Sequence, residues 1–305
     1  MTVTIAYLGP EGTYSQLAAL AYSLDLEHQR GESVTLKAFP SIPKAMQATA
    51  NGETTLTIVP VENSIEGGVT TTLDTLWRLE TLRIHRALVM PIRHGFLSYA
   101  PDLNQIHTVY SHPQALSQCQ NWLERQVPQA ALVPTSSTTE ALQHLADNPK
   151  IGAIASEWAA QLYDLPILAH DINDLADNCT KFWVLGPPTS VVAQPTGSYT
   201  SLAFTLPVNA PGALLKPLQV FAQHAINLSR IESRPAKRAL GDYLFFADLE
   251  ADCHQDNTLK AIQELSQCTE QLMDFGSYDL VAINSSLTAA KAKYGASQGS
   301  QAPND

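Results

Sequence analysis

The run DNCTKFWVLGPPTSVVAQPTGS, residues 177–198, decides how this chain is divided. It opens on a polar turn, passes through the apolar segment FWVLG and ends in a proline-rich, aperiodic stretch of small residues. A short apolar run bounded by turn formers fits a buried strand, so FWVLG reads as part of a sheet interior. PPTSVVAQPTGS reads as a linker. The polar head sets a hydroxyl and a cation, Thr180 and Lys181, at the mouth of the strand, where they can hold an anion and donate a hydrogen bond. Taken alone, the polar head DNCTKF also fits a turn at Asp177 and Asn178, a strand-favouring threonine and a solvated edge lysine.

Upstream, strand-like runs alternate with helical periodicity. VTIAYLG, TLTIVPV, LRIHRALVMPI, HTVYS and IGAIA are separated by helices such as YSQLAALAYSL and PQALSQCQNWLERQ. That alternation predicts an α/β sheet with crossover helices. Several junctions run from apolar strand to capping residue to helix. Ser137 with Glu140, and Ser111 with Gln114, have capping-box spacing, and Pro113 falls in a first turn where a missing amide donor costs little. Such junctions present free amides and a favourable dipole, which attract carboxylates and phosphates. GPEGT matches neither GxGxxG nor GxxxxGK[ST], so no nucleotide site is assigned.

Downstream of the linker, the order is strand TSLAFTLP, helix ALLKPLQVFAQHA, strands NLSRIESRP and DYLFFADLEA, helix NTLKAIQELSQC and strand LMDFGSYDL. This βαββαβ order is the ferredoxin-like split βαβ arrangement. The expected boundaries are 1–187 for the first region, 198–281 for the second and 282–305 for a small, polar, disordered tail.

At 305 residues and 45% hydrophobic content the chain can bury two cores. A formal net charge of -11 with no cluster of basic residues opposes binding to nucleic acid or an anionic membrane. The four cysteines, Cys119, Cys179, Cys253 and Cys268, lack zinc or disulfide spacing and read as reduced thiols. No basic leader or long apolar run precedes TIAYLG, so the expected location is cytoplasmic.

The ordered series GPEGTYS, VPVENSIEGG, SHPQAL and DNCTKF, followed by a βαββαβ unit carrying NAPGALL and ESRP, resembles prephenate dehydratase with a C-terminal ACT domain. The likeness runs from Thr4 to Leu280. It implies an α/β catalytic region of two lobes, shaped like a periplasmic binding protein, with prephenate in the cleft. It also implies an α+β ferredoxin-like ACT domain that senses phenylalanine, a homodimer or homotetramer, and chemistry without metal or organic cofactor.

Carried over by motif, Thr180 is the catalytic residue, donating a hydrogen bond to the departing hydroxyl or relaying a proton from water or an acidic neighbour. Thr13, Asn63, Ser64, Ser111, His112, Gln114, Asn178, Lys181 and Phe182 are expected to bind substrate. Glu62 and Glu66 are acid candidates. The family motif ends in TRF where this chain has Lys181, which keeps the charge and loses the bidentate fork. For phenylalanine, the resemblance points to Asn209, Ala210, Pro211, Gly212, Ala213 and Leu214 in one loop. Glu232, Ser233, Arg234 and Pro235 complete that set from the ESRP strand. Two competing functions are arogenate dehydratase and a non-catalytic amino-acid or carboxylate binding protein.

Overall fold

The computed structural model describes residues 2–145, 148–190, 192, 196–238 and 241–283. The first lobe is built from β1 (Val3–Leu8), α1 (Tyr14–Arg30), β2 (Val34–Phe39), α2 (Ile42–Ala50), β3 (Leu56–Asn63), the two-residue β4 (Gly67–Gly68), α3 (Thr70–Arg78) and β5 (Arg83–Pro91). β1 runs parallel to both β2 and β3. Local chemistry sets the limits of α1. Thr13 Oγ1 accepts the Gln16 N–H at its start, and Gly31, at φ 66°, takes the left-handed conformation that closes it. The alanine-leucine stretch between these caps is buried against the sheet.

The chain then crosses to a second lobe made of β6 (His94–Leu97), β7 (Thr108–Ser111), α4 (Pro113–Gln118), α5 (Gln120–Gln126), β8 (Ala131–Pro134), β9 (Ile151–Ser156), α6 (Glu157–Leu162) and β10 (Ile167–Ala169). Its five strands lie in the order β10-β6-β9-β7-β8. The periodicity of residues 113–126 predicts one helix, but the chain breaks at Cys119. The cause is distant in sequence: the Asp174 carboxylate accepts the N–H groups of Asn121 and Trp122 and caps a second helix there. The chain returns as β11 (Cys179–Gly186), antiparallel between β3 and β5. The outgoing and returning crossings are tied together, since Ile92 N–H donates to Asn178 O at 2.8 Å.

The C-terminal domain follows as β12 (Tyr199–Thr205), α7 (Leu215–Gln223), β13 (Leu228–Pro235), β14 (Tyr243–Leu249), α8 (Asp256–Cys268) and β15 (Gln271–Ala282). Its strand order, β13-β14-β12-β15, is the split βαβ arrangement. One sheet face packs Phe204 and Leu202 against Phe221 and Leu265 of the helices. The other packs Phe246, Phe275 and Tyr278 against Val59, Trp183 and Leu185 of the first lobe, forming one shared apolar cluster. Each such phenylalanine contributes about 2 kcal/mol by burial, so the two domains are fused and not merely tethered.

The sheets are joined as well. Asp279 to Ala282 of β15 pair in parallel with Arg86 to Val89 of β5, which makes a ten-stranded sheet. This corrects the expected start of the tail: Ala282 is in the strand, and Ile283 is buried with its N–H donating to Val89 O. The remainder of the tail lies outside the described residues. Among those described, no helix is long and apolar enough to cross a membrane.

Candidate active site

A cavity of about 970 Å³ opens between the two lobes. Thr13, Asn63, Thr180 and Phe182 line it from the first lobe, and His112 and Gln114 from the second. Strand alternation puts Thr180 and Phe182 on the cleft side of β11. Thr180 lies opposite Asn63 of β3, and Asn63 Nδ2 donates to Thr180 Oγ1 at 3.0 Å.

The direction of that bond is fixed by the backbone. Asn63 Oδ1 accepts the N–H groups of Ile65 and Glu66 at 3.0 and 3.1 Å, so the other side of this amide is the donor. Asn63 Nδ2 therefore also donates to Asn178 Oδ1 at 2.8 Å, and Asn178 Nδ2 donates onward to Gln118 Oε1 at 2.9 Å. Gln118 Oε1 then takes the Nε2 hydrogen of His94 at 3.0 Å, which leaves His94 Nδ1 unprotonated 3.1 Å from the Tyr14 hydroxyl, whose own hydrogen goes to Arg93 O at 2.6 Å. The same chain of polarity has a consequence at its other end. Thr180 Oγ1 is already an acceptor, and its own hydrogen has no acceptor among the described residues, so it is available to a ligand in the cleft.

Four predicted binding residues occupy other places. Ser111 is fully buried and donates from Oγ to Ile154 O at 2.6 Å, bracing β7 on β9; the cap of α4 is His112, whose Nδ1 accepts the Gln114 N–H. Ser64 Oγ accepts the Cys179 N–H and braces the turn behind the motif. Asn178 is buried beneath the cleft wall as a link in the amide chain. Lys181 points to the opposite face of β11 from Thr180, as neighbours in a strand must. Its ammonium pairs with Glu62 Oε2 at 2.8 Å and with Asp248 Oδ2 of the C-terminal domain at 3.1 Å. The expected anion contact is thus an interdomain ion pair, and Glu62 is withdrawn with it. Glu66 does line the cleft, with Oε1 near Ser117 Oγ and Gln118 Nε2 at 3.4 and 3.5 Å.

Among the described residues, no lysine or arginine lines the cavity. The attraction available to an anion there comes from neutral donors and from the N-terminus of α1, which opens onto the cleft at Thr13. Burial holds the His112 pKa below its ordinary value, with the nearby Glu66 charge opposing. Tyr14, His94 and Gln118 belong to the wall and were not anticipated. GPEGTYS and SHPQALSQ contain two of them, but local spacing cannot reveal that three distant side chains meet.

His94 carries a pH prediction. Burial lowers its pKa from 6.5 to about 4, against the raising effect of the hydrogen bond that it donates to Gln118, so the ring is neutral in the folded protein. Between those two values the unfolded chain takes up a proton that the folded chain does not. Stability contributed by neutral His94 is therefore complete above the unfolded value and falls by about 3 kcal/mol as pH drops through this window. Urea unfolding at pH 7 and pH 4.5 should show a shallower acid loss in His94→Gln than in wild type. Identical losses in both proteins remove His94 as the cause.

In the C-terminal domain the two predicted ligand motifs separate. Asn209 to Leu214 form the exposed turn before α7, with Gly212 at φ 81° in a conformation that favours glycine. Asn209 lies beside Gly241 in the β13–β14 hairpin. Glu232 and Arg234 instead share the face of β13 that meets the first lobe, with Ser233 and Pro235 on its exposed face. Glu232 sits so close to Gly68 that a Cβ there would overlap its carboxylate, and Arg234 reaches Asp74 on α3 at 3.3 Å. Among the described residues no hydrogen bond or ion pair links these two side chains to the 209–214 turn. Adjacent Cys253 and His254, outside any zinc spacing, gather with Asp252 as a group of potential metal donors in the turn before α8, away from the cleft.

Comparison with known proteins fits this architecture. A prephenate dehydratase family model matches residues 5–190, and an ACT domain model matches residues 200–267. The chain is 37% identical to a prephenate dehydratase of Lactococcus lactis over 92% of its own length and 98% of the relative's. It is 38% identical to a bifunctional chorismate mutase/prephenate dehydratase of Aquifex aeolicus over 90% of this chain and 73% of that one. The solved structure of a prephenate dehydratase from Arthrobacter aurescens in complex with L-Phe superposes with a TM-score of 0.79 at 30% identity, covering 98% of this chain and 99% of that one. With the two-lobed cleft and the split βαβ unit in the same order, the chain belongs to the prephenate dehydratase family and is a dehydratase enzyme carrying an ACT domain.

Proposed function

We propose that the cleft converts prephenate to phenylpyruvate and that L-phenylalanine acting on the ACT domain regulates it. The observation that carries the catalytic part is the Thr180 hydroxyl, polarised by Asn63 and left with a free hydrogen facing the cleft. Prephenate loses its C4 hydroxyl as water and its ring carboxylate as carbon dioxide. The electron pair of the breaking carbon–carboxylate bond completes the aromatic ring, and one proton joins the departing hydroxyl. Thr180 supplies a hydrogen bond to that oxygen as negative charge builds on it. Its own pKa is too high for efficient proton donation. Of the two carboxylates in VPVENSIEGG, Glu66 faces the cleft and Glu62 is held by Lys181, which favours Glu66 as the group that passes a proton inward.

The regulatory part is supported by the solved relative in complex with L-Phe and by the surface of the ACT domain. Large exposed apolar residues flank both ligand motifs: Val208 and Leu215 beside the turn, Ile231 and Tyr243 beside ESRP. β13 is also the outer strand of its sheet. An exposed apolar edge of this kind suits pairing with a second copy, which can bring one chain's turn to the other's strand. The reading is therefore a homodimer or homotetramer. Purified protein incubated with prephenate, and separately with arogenate, should form phenylpyruvate from the first, and added L-phenylalanine should change that rate. A large preference for arogenate reassigns the substrate. Binding without turnover of either favours a receptor.

A further inference from the structure

Two cross-strand pairs lie side by side on β3 and β11, facing opposite ways. Asn63 and Thr180 face the cleft, and Glu62 and Lys181 face the ACT domain. The ladder between these strands is irregular immediately after Lys181. Regular pairing of β11 with β5 from Cys179 to Val184 holds Thr180 itself, so the irregularity bears on the end of β3, where a slip of one residue would turn Asn63 away from Thr180. The side-chain pair behind it acts as a second fastening at that point.

Lys181 is also the place where this fastening meets the ACT sheet. Asp248 is 1% exposed and accepts from Lys181, from Arg230 Nε at 2.9 Å and from Ser201 Oγ at 2.7 Å. Arg230 continues to Glu232 at 3.4 Å, and Glu232 abuts Gly68 of β4, which pairs with Glu62 after the turn that follows Asn63. The ring of contacts thus leaves β11 at Lys181, crosses two ACT strands and returns to the catalytic lobe one turn away from Asn63. A compact ammonium suits this position, because its tetrahedral donors can address two carboxylates on different elements, whereas a planar guanidinium favours one in parallel.

We propose that Lys181 is a positioning residue, which holds the Asn63–Thr180 pair in its catalytic register and makes that register depend on the state of the ACT domain. This rests on reading the cleft as the prephenate site and L-phenylalanine as the ACT ligand. Lys181 touches no substrate. It acts by fixing the two strands, and any movement of β13 or β14 on ligand binding reaches Thr180 through Asp248 and Lys181.

The test compares Lys181→Met, Lys181→Arg and Glu62→Gln with wild type in the full chain. Lys181→Met leaves Asp248 still paired with Arg230 and Ser201, so the fold should persist. It is expected to lower kcat about tenfold with KM for prephenate changed less than about twofold, and to lose most of the rate change caused by L-phenylalanine. Lys181→Arg should recover most of kcat, and Glu62→Gln should show a smaller loss of the same kind. Amide exchange over residues 179–182 and 62–64 should speed up in Lys181→Met and no longer respond to L-phenylalanine. Wild-type kcat and response in Lys181→Met, or a rise in KM at unchanged kcat, overturns the proposal. Should wild type fail to turn over prephenate, the reading of the activity falls, and the exchange measurement decides alone: unaltered exchange in Lys181→Met, with the wild-type response retained, overturns the proposal.

Discussion

Thr180→Val is expected to lower kcat for prephenate by about 10²–10³ while KM changes less than about threefold. Valine keeps the branched shape at a nearly buried position and removes only the hydroxyl. The lost hydrogen bond matters chiefly as charge develops on the departing oxygen, so its absence should appear in the chemical step and not in capture of the substrate. Asn63 Nδ2 loses an acceptor in the variant, but it retains Asn178 Oδ1 and Cys179 O, which limits the structural cost. A variant with wild-type kcat would falsify the role given to Thr180. A rise in KM alone would recast it as a binding group.

Asp248→Ala should destabilise the protein by about 3–5 kcal/mol, because removing one member of a buried ion cluster strands the others. The side chains of Arg230 and Lys181 are only 7% and 17% exposed, and both are directed at this carboxylate. The Asp74 contacts of Arg234 and Lys237 are a useful contrast, since Lys237 is largely exposed and replacement there should cost less. Burial pushes the Asp248 carboxyl up, but the charges of Arg230 and Lys181 outweigh it and hold the pKa below 3.8. Its contribution is therefore present above the unfolded value and is lost as pH falls through the lower folded one. Urea unfolding should show the loss at neutral pH and narrow the gap in strong acid. A deficit under about 1 kcal/mol at neutral pH means that the cluster is well hydrated and the burial argument fails.

The parts of this architecture that rest on local periodicity were legible. α1 combines a threonine cap, a long alanine-leucine face and a closing glycine, and the split βαβ order follows from period and turn residues alone. Elements set by distant partners were not. The break at Cys119 depends on Asp174, and the short outer strands β2, β8 and β10 have weak patterns because much of their surface is not in the core. In the site, the motifs located the cleft wall, but motif membership does not tell the front of a strand from its back. Thr180 and Lys181 are adjacent, so alternation alone requires them to diverge. Which of them faces the cleft depends on the strands and the domain lying on each side. Gln118 and His94 were missed for a related reason: an amide and an imidazole become a network only when β6, α4 and the returning crossing converge.

The parallel pairing of β15 with β5 bears on how such a protein can be taken apart in evolution. A gene cut at residues 187–198 would look clean in sequence, yet it would strip the covering strand from β5 and leave a row of open amides and carbonyls beside the strand that carries Thr180. A bared edge of that kind recruits other chains. The ACT domain therefore acts as the selvedge of the catalytic sheet, and any rearrangement that discards it must first find another way to hem the cloth.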